Sequence, residues 1–355
     1  MKGAISMREV TYEEYLKFVE QNKVIKIEDQ EISLEPIEVR RLEPISSELT
    51  DVSTTVWSFP ERGAWATHKG DYRGNWAPQI PRALMLMYTK PGDIVLDPMV
   101  GSGTTLIEAK LLGRNSIGID INYNAVMLTL HRLYYLKKAL KSLEEKRFEK
   151  LEAYLYTDTH DMKIGDVNLE YIDKAWFKVY HGDARNLDKI EDESIDLIAT
   201  HPPYFNIIKY GGQERIEGDL SKAKSLEEYL KWIHQIAKEL YRVLKPGKYC
   251  AILIGDTRIH KHYVPISHHV LNTFLDAGFI LKEEVIKIQH KMKTTREIWK
   301  KLEKRDFLLI YHEKLFIFRK PHSNDDFHKY KYSMRLLLKN LRNGIRDQNS
   351  HCFVY

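Results

Sequence analysis

The stretch Ile94-Val-Leu-Asp97-Pro98-Met99-Val-Gly101-Ser102-Gly103-Thr104-Thr105-Leu-Ile-Glu108-Ala109 decides the fold. A short apolar run ends in an acid and a proline, passes through a glycine-rich turn and continues at once as a helical pattern, the order strand, turn, helix. Glycines in such a turn let an adenosine-bearing cofactor approach the backbone at a helix N-terminus. The next strand-like run, Ser116-Ile-Gly-Ile-Asp120-Ile121, ends in a second acid placed to accept hydrogen bonds from both hydroxyls of a ribose. A third, ending Tyr180-His-Gly-Asp183-Ala184, brings another acid toward an adenine amino group. A dinucleotide dehydrogenase would carry the fuller Gly-x-Gly-x-x-Gly, but Leu106 stands at the third glycine position, which weighs against a nicotinamide cofactor.

Further along lies Asp196-Leu-Ile-Ala-Thr200-His201-Pro202-Pro203-Tyr204, a buried apolar strand that delivers a polar-Pro-Pro-aromatic corner to its C-terminal end. Open α/β sheets bind their ligands at that end. Two prolines fix φ and remove two N–H donors, so the corner offers carbonyl acceptors suited to an exocyclic amino group. The following aromatic ring offers a stacking face for a planar base. From the corner alone, an ordinary proline-terminated strand is an equal reading.

Taken together, Asp97-Pro-Met-Val-Gly-Ser-Gly-Thr-Thr105, His201-Pro-Pro-Tyr204 and the upstream block Trp57-Ser-Phe-Pro followed by Trp65-Ala-Thr-His-Lys-Gly-Asp-Tyr-Arg-Gly-Asn-Trp76-Ala-Pro78-Gln-Ile-Pro81 resemble the S-adenosylmethionine-dependent DNA amino-methyltransferases of the N4-cytosine/N6-adenine group. The resemblance spans roughly residues 55 to 320. It implies a Rossmann-like class I methyltransferase: a mostly parallel seven-stranded sheet with a terminal antiparallel hairpin and helices on both faces. It implies S-adenosylmethionine as cofactor, no metal, and a pocket formed by Trp76, Pro78, Asp97, Pro98, Met99, Gly101, Ser102, Gly103, Thr104, Thr105, Asp120, Ile121, Asp183 and Ala184. His201, Pro202, Pro203 and Tyr204 are the implied catalytic residues. Such enzymes usually carry Ser, Asp or Asn where His201 stands, and Thr200 before it echoes the Thr-Ser-Pro-Pro-Tyr form, which favours cytosine N4 over adenine N6. A neutral imidazole can accept one hydrogen bond from an amino group and an imidazolium none, so protonation would work against catalysis. A histidine that only packs beside the corner is the alternative. No Pro-Cys nucleophile is present, so the methyl acceptor is expected to be an exocyclic nitrogen that attacks without a covalent enzyme intermediate. An RNA N2-guanine methyltransferase and a non-catalytic DNA-binding protein are the more distant readings.

The 355 residues, 43% hydrophobic, suffice for one large α/β domain with additions. The expected organisation is an N-terminal extension over 1–55, a catalytic domain over 56–320 with an insertion at about 123–176, and a basic tail over 321–355. Strand-like runs fall at 94–98, 116–121, 177–181, 195–200, 249–254, 279–288 and 314–319, and helical patterns near 104–113, 122–148, 225–244 and 264–276. The insertion suits a lid, a dimer contact or a target-recognition surface. No apolar run is long enough to span a membrane and no signal-peptide core opens the chain, so a cytoplasmic location is expected. Cys250 and Cys352, the two cysteines, suggest neither a disulfide framework nor a metal site. The net charge of +5 is unevenly spread: Lys287 to Arg346 holds 17 Lys plus Arg against 6 Asp plus Glu. Its run Lys291, Lys293, Arg296, Lys300, Lys301, Lys304 and Arg305, interleaved with Trp299, suits a DNA phosphate backbone or, equally on charge alone, a solvated helical face. Lys209 and Arg215, on a glycine-hinged loop just past the corner, are further expected contacts to double-stranded DNA. The chain is expected to act as a monomer or homodimer, and a cognate restriction endonuclease is a partner that the resemblance makes conceivable.

Overall fold

The computed structural model describes residues 4–27, 30–144, 151–156, 161–167, 169–205, 218–290 and 306–334. In chain order these form β1 (Arg8–Glu9), α1 (Tyr12–Gln21), the pair β2 (Val24–Ile27) and β3 (Gln30–Ser33), β4 (Val56–Ser58), α2 (Gln79–Tyr88), β5 (Ile94–Asp97), α3 (Thr104–Leu111), β6 (Asn115–Asp120) and α4 (Tyr123–Glu144). There follow β7 (Leu151–Tyr156), β8 (Asp161–Val167), α5 (Leu169–Lys174), β9 (Phe177–His181), β10 (Ile195–Thr200), α6 (Leu226–Val243) and β11 (Leu244–Ile254). The small pair β12 (Thr257–Ile259) and β13 (His262–Val264), α7 (Ile266–Asp276), β14 (Ile280–Ile288) and β15 (His312–Arg319) complete the fold.

One sheet organises the chain, in the order β1-β9-β6-β5-β10-β11-β15-β14-β4. Its five central strands, β9 to β11, run parallel, and β15 turns back antiparallel to both β11 and β14. This is the Rossmann-like α/β class expected from the sequence, with all seven expected strands present. The sheet is nine-stranded, because β1 adds antiparallel to β9 and β4 adds parallel to β14. β5 has β6 on one side and β10 on the other, so the chain winds outward in both directions from that boundary. The reversal opens a crevice beyond the C-terminal ends of β5 and β10.

Side-chain alternation along the strands divides the core in two. Val95, Leu197, Ala199, Ala251, Leu253, Leu315 and Ile317 pack on one face beneath α2, α3 and α4. Leu96, Ile198, Cys250, Ile252, Phe316 and Phe318 pack on the other beneath α6 and α7. α6 is amphipathic for the same reason: Tyr229, Ile233, Ile236, Ala237, Leu240 and Val243 recur at helical spacing and are all buried. Ser225 caps it by accepting from the Glu228 N–H at 3.1 Å. Within the expected insertion, α4 is a core helix, with Val126, Met127, Leu130, Leu133 and Leu136 buried, while β7 and β8 form a separate antiparallel pair. The N-terminal segment contributes β1 to the sheet edge and seats α1 on α4, where the Tyr15 hydroxyl meets His131 Nδ1 at 2.9 Å.

The strand-turn-helix unit explains why leucine can replace the third glycine. Gly118 in β6 faces α3, and a Cβ there would lie 2.8 Å from Leu106 Cδ2 and 2.9 Å from Val100 Cγ2. The close approach that a helix glycine would provide is supplied from the strand instead. Gly118→Ala is expected to cost about 1–3 kcal/mol of unfolding free energy through overpacking, and clearly less in a Leu106→Ala background. Urea unfolding of the four chains measures this coupling, and equal costs in both backgrounds would mean that Leu106 is not what fills the space.

Candidate active site

The crevice holds a cavity of about 460 Å³, within the roughly 300–1,000 Å³ typical of small-molecule sites. Its floor is organised by Asp97 at the end of β5. Asp97 Oδ1 accepts from the Met99 N–H at 3.2 Å and from Thr200 Oγ1 at 2.8 Å, and Oδ2 accepts from Thr105 Oγ1 at 2.5 Å. Burial raises this carboxyl to about 6 against those three donors. The turn that follows needs left-handed backbone at Gly101 (φ +53°) and Gly103 (φ +83°). A Cβ on Gly101 would also come within 2.9 Å of the Tyr72 ring.

Asp120, at the end of β6, accepts from the Gly101 N–H at 2.9 Å and from the Asn122 N–H at 2.8 Å, one on each oxygen. Burial, with Asp219 and Asp97 nearby, raises it to about 7 despite these two bonds. Each oxygen keeps lone-pair capacity for a ligand hydroxyl. Asp183 lines the cavity too, but both its oxygens are engaged by the Arg185 guanidinium at 2.5–3.0 Å, so it presents a charge-paired acceptor.

The block upstream of the glycine turn is held over the cavity by buried polar bonds. Glu108, on α3 and fully buried, accepts from Trp65 Nε1 and His68 Nε2, both at 2.7 Å, and from Arg82 at 3.0 Å. Burial alone would raise its carboxyl, but Arg82 and His68 more than reverse that and hold it below the usual carboxylate range. Thr104 Oγ1 donates to Asn75 Oδ1 at 2.5 Å, and Arg132 pairs with Asp71. These contacts carry Tyr72 to Ala77 along the cavity wall.

At the end of β10, the corner is wired into the antiparallel hairpin. His201 Nε2 lies 2.5 Å from Tyr204 Oη, and that hydroxyl donates to Glu313 Oε1 at 2.5 Å. Glu313 Oε2 accepts from Lys287 Nζ at 2.8 Å, across the directly opposed β14–β15 pair. Burial would raise Glu313, but Lys287, with help from His201 and Tyr204, brings it down to about 2. The His201 ring stacks near Trp76, with centroids 6.0 Å apart and planes at 21°. Burial pushes the imidazole down to about 4, an effect that Lys287 assists and that Glu313 and the Gly74 backbone oppose. The imidazole is therefore neutral across the ordinary histidine range, and its titration lies well below it. Gly255 leaves room for Tyr204, since a Cβ there would sit 2.6 Å from the ring. The Tyr229 hydroxyl donates to the Pro203 carbonyl at 3.2 Å.

Of the residues expected at the cofactor site, Trp76, Asp97, Pro98, Met99, Gly101, Ser102, Thr104, Asp120, Ile121, Asp183 and Ala184 line the cavity, together with His201 to Tyr204. Pro78, Gly103 and Thr105 lie outside its lining. Thr105 acts one bond away through Asp97, Gly103 turns the chain into α3, and Pro78 packs where a Cβ on Gly63 would approach it to 2.8 Å. Lys209, Arg215, Lys291, Lys293, Arg296, Lys300, Lys301, Lys304 and Arg305 all fall outside the described residues. Lys287, Glu313 and Asp219 line the cavity without having been expected there, and Gly255 makes room beside Tyr204. Lys287 and Glu313 are joined only by strand register, a signal that no local motif carries. Among the described residues, no group of His, Cys, Asp and Glu could hold a metal ion, and no helix is long and apolar enough to cross a membrane.

A family model described as DNA methylase matches residues 8–130 and 195–350, most of the chain. A second, described as an RMKL-like methyltransferase domain, matches residues 71–259. The Type II methyltransferase M.MjaII of Methanocaldococcus jannaschii is 32% identical over 151 residues, which are 41% of this chain and 28% of that protein. The tRNA (guanine(10)-N2)-dimethyltransferase of Methanothermobacter thermautotrophicus is 32% identical over 134 residues, 38% of this chain and 29% of that protein. The chain thus spans less than a third of the length of either relative. A solved SAM-dependent methyltransferase from Methanosarcina mazei aligns over 66% of this chain and 95% of its own at 18% identity, with a TM-score of 0.37.

Because Glu108 joins three buried donors, removing its charge should unfasten the whole upstream block. Glu108→Ala is expected to destabilise the fold by about 3–5 kcal/mol, the cost of leaving a buried Arg unpaired. Chemical denaturation checks the magnitude, and a loss below about 1 kcal/mol would show that the block is held by apolar packing instead.

Proposed function

The chain belongs to the DNA methylase family, and on that footing we propose that it transfers a methyl group from S-adenosylmethionine to the exocyclic N4 amino group of a cytosine in double-stranded DNA, in a restriction-modification or host-protection setting in the cytoplasm. The observation that carries this reading is the His201-Pro-Pro-Tyr204 corner, which shares one cavity with the glycine turn and Asp120. The residues present fit the cofactor. Gly101 leaves the backbone open where any side chain would strike Tyr72, Asp120 retains acceptor capacity for ribose hydroxyls, and the buried Ser102 hydroxyl has no protein partner. When bound, S-adenosylmethionine supplies an electrophilic sulfonium methyl group.

The protein's part is positioning. An amino group stacked and paired in a duplex cannot reach a buried cavity, so the target base must be extruded. Tyr204 then offers its ring to the base, with Gly255 making room for it. The Pro202 carbonyl and the His201 imidazole accept the two amino hydrogens, which draws the nitrogen lone pair out of conjugation. The Pro203 carbonyl is already committed to Tyr229. A nitrogen so held attacks in line and releases its proton as the bond forms, the acceleration coming chiefly from orientation. Lys209, Arg215 and the basic run from Lys291 to Arg305 are proposed to hold the DNA phosphates.

An N6-adenine acceptor meets the same corner, and the tRNA N2-guanine relative favours a third acceptor of the same amino type. Sequencing that reports modified bases, on DNA from cells expressing the chain, is expected to show N4-methylcytosine at a defined site. N6-methyladenine would move the assignment to the sister activity. Methylation confined to tRNA would overturn the DNA reading. Cofactor binding has its own test. Lowering the pH from about 8 to about 6 protonates Asp120, whose carboxyl is raised to about 7, and so removes a ribose acceptor. Calorimetry should show S-adenosylmethionine affinity falling across that window in the native chain. In Asp120→Asn, affinity should be weak and nearly flat. A native affinity that does not vary with pH would remove Asp120 from the ribose site.

A further inference from the structure

β10 and β11 run parallel with Thr200 opposite Ile252, so both strands end at the rim where the cavity opens. The β12–β13 hairpin leaves that rim directly after Gly255, the residue that backs the Tyr204 ring, and takes no part in the cavity lining. Ile259 pairs with His262, so the connection is two residues long, and both of them, His260 and Lys261, have positive φ, +48° and +68°. These are the signs of a type I′ turn, whose central positions favour Asn-Gly. Histidine tolerates left-handed backbone better than most residues do, but lysine has no such aptitude. The turn is held in place by its own strands: Arg258 donates to the Lys261 carbonyl at 3.0 Å and His262 Nδ1 to the His260 carbonyl at 2.9 Å. From there a strut runs back to the corner. Arg258 lies over the Tyr263 ring and donates to the Leu308 carbonyl at 3.1 Å. The Tyr263 hydroxyl donates to Asp256, which also accepts from the Ser267 N–H and hydroxyl, both at 2.7 Å. The tip is thereby fixed relative to Gly255 and Tyr204.

We propose that this tip is a contact to double-stranded DNA, in which Lys261, with His260 beside it, meets a backbone phosphate near the target base while the Arg258–Tyr263–Asp256 strut holds that phosphate at a set distance from Tyr204. The inference rests on the proposed DNA substrate for its partner, whereas the strained turn is a property of the protein alone. His260, Lys261 and His262 are all exposed. The Lys261 ammonium has Asp306 at 3.6 Å, but with side chains 55% and 75% exposed the two are screened by water, and that pair is too weak to account for a cation at this position. Ile259 and Leu308, 42% and 80% exposed, form an apolar ledge beside the tip. A cation next to such a ledge is unlike a solvated charge run and suits the sugar-phosphate edge of a duplex. Glycine at position 261 would relieve the turn and abolish the charge, so the backbone and the phosphate make opposite demands there. Strained backbone that its surroundings hold in place is a mark of functional segments.

The test is the double substitution His260→Asn, Lys261→Gly in the full chain, read by thermal unfolding and by fluorescence anisotropy with a mixed-sequence DNA duplex over a salt series. The variant is expected to unfold about 2–4 °C higher, because the turn is relieved. It is also expected to bind the duplex about 3- to 10-fold more weakly, with the slope of log affinity against log salt shallower by about 1, the signature of one lost phosphate contact. Its S-adenosylmethionine affinity by calorimetry should stay native. Lys261→Arg keeps the cation and should keep the native slope. Native duplex affinity and slope in the double variant would overturn the proposal, as would a double variant no more stable than the native chain, which would leave no strain for function to explain. A slope that Lys261→Arg lowers as far as glycine does would show that the contact is not ionic and overturn it too. A native chain that binds tRNA and no DNA duplex would sink the proposed DNA substrate and this partner with it, whereas duplex binding with an unaltered slope sinks the hairpin contact alone.

Discussion

The site depends first on Asp97. One buried carboxylate receives a backbone N–H from the start of the glycine turn, a hydroxyl from the first turn of α3 and a hydroxyl from the last residue of β10. The glycine turn and the Pro-Pro corner sit on separate strands, with β6 and β9 of the same sheet between them in sequence, yet they meet through this side chain. Because Thr105 and Thr200 are themselves fully buried, losing either hydroxyl contact would leave a polar group unsatisfied in the core. That asymmetry, more than the strength of any single bond, fixes the spacing between the glycine turn and His201. Thr105 and Thr200 thereby shape the cavity while contributing no atom to its floor that a ligand need touch.

The second constraint is the way remote segments are drawn in. Glu108 does for the upstream block what Asp97 does for the strands, recruiting Trp65 and His68 from a region with little regular structure of its own and Arg82 from α2. Loops that run across a sheet end must satisfy their own backbone and side-chain polar groups. Here a charged group on α3 meets much of that demand from below. The hairpin makes a third contribution, bringing Lys287 and Glu313 to the corner from the far end of the chain. Three discontinuous parts of the sequence therefore converge on one imidazole and one aromatic ring.

Legibility followed the range of the physical signal. The buried parallel strands could be read because each is a short apolar run bounded by glycine or acid. The glycine turn could be read because only glycine tolerates its backbone. β1 and β4 could not, since two and three residues carry no period, and the start of β11 was hidden by Lys245-Pro246-Gly247, which has the composition of a turn. In the site, acids at strand ends announced themselves through topology, and Asp97 and Asp120 stand where that argument put them. Asp183 stands there too, but its pairing with Arg185 was invisible to it. Lys287 and Glu313 were illegible because their pairing is a matter of register between strands that no motif links. The depressed basicity of His201 was illegible because it is a property of burial.

Both edges of the sheet end in very short strands, β1 with two residues and β4 with three. An open sheet normally exposes a row of unpaired backbone groups at each margin, which is a template for another chain to extend the ladder. Two or three residues offer too few such groups for stable addition. Addition of a further strand onto β1 or β4 is thereby disfavoured, while β4 covers only Ile286–Ile288 of the nine-residue β14 and leaves the first part of that margin as the longer open edge.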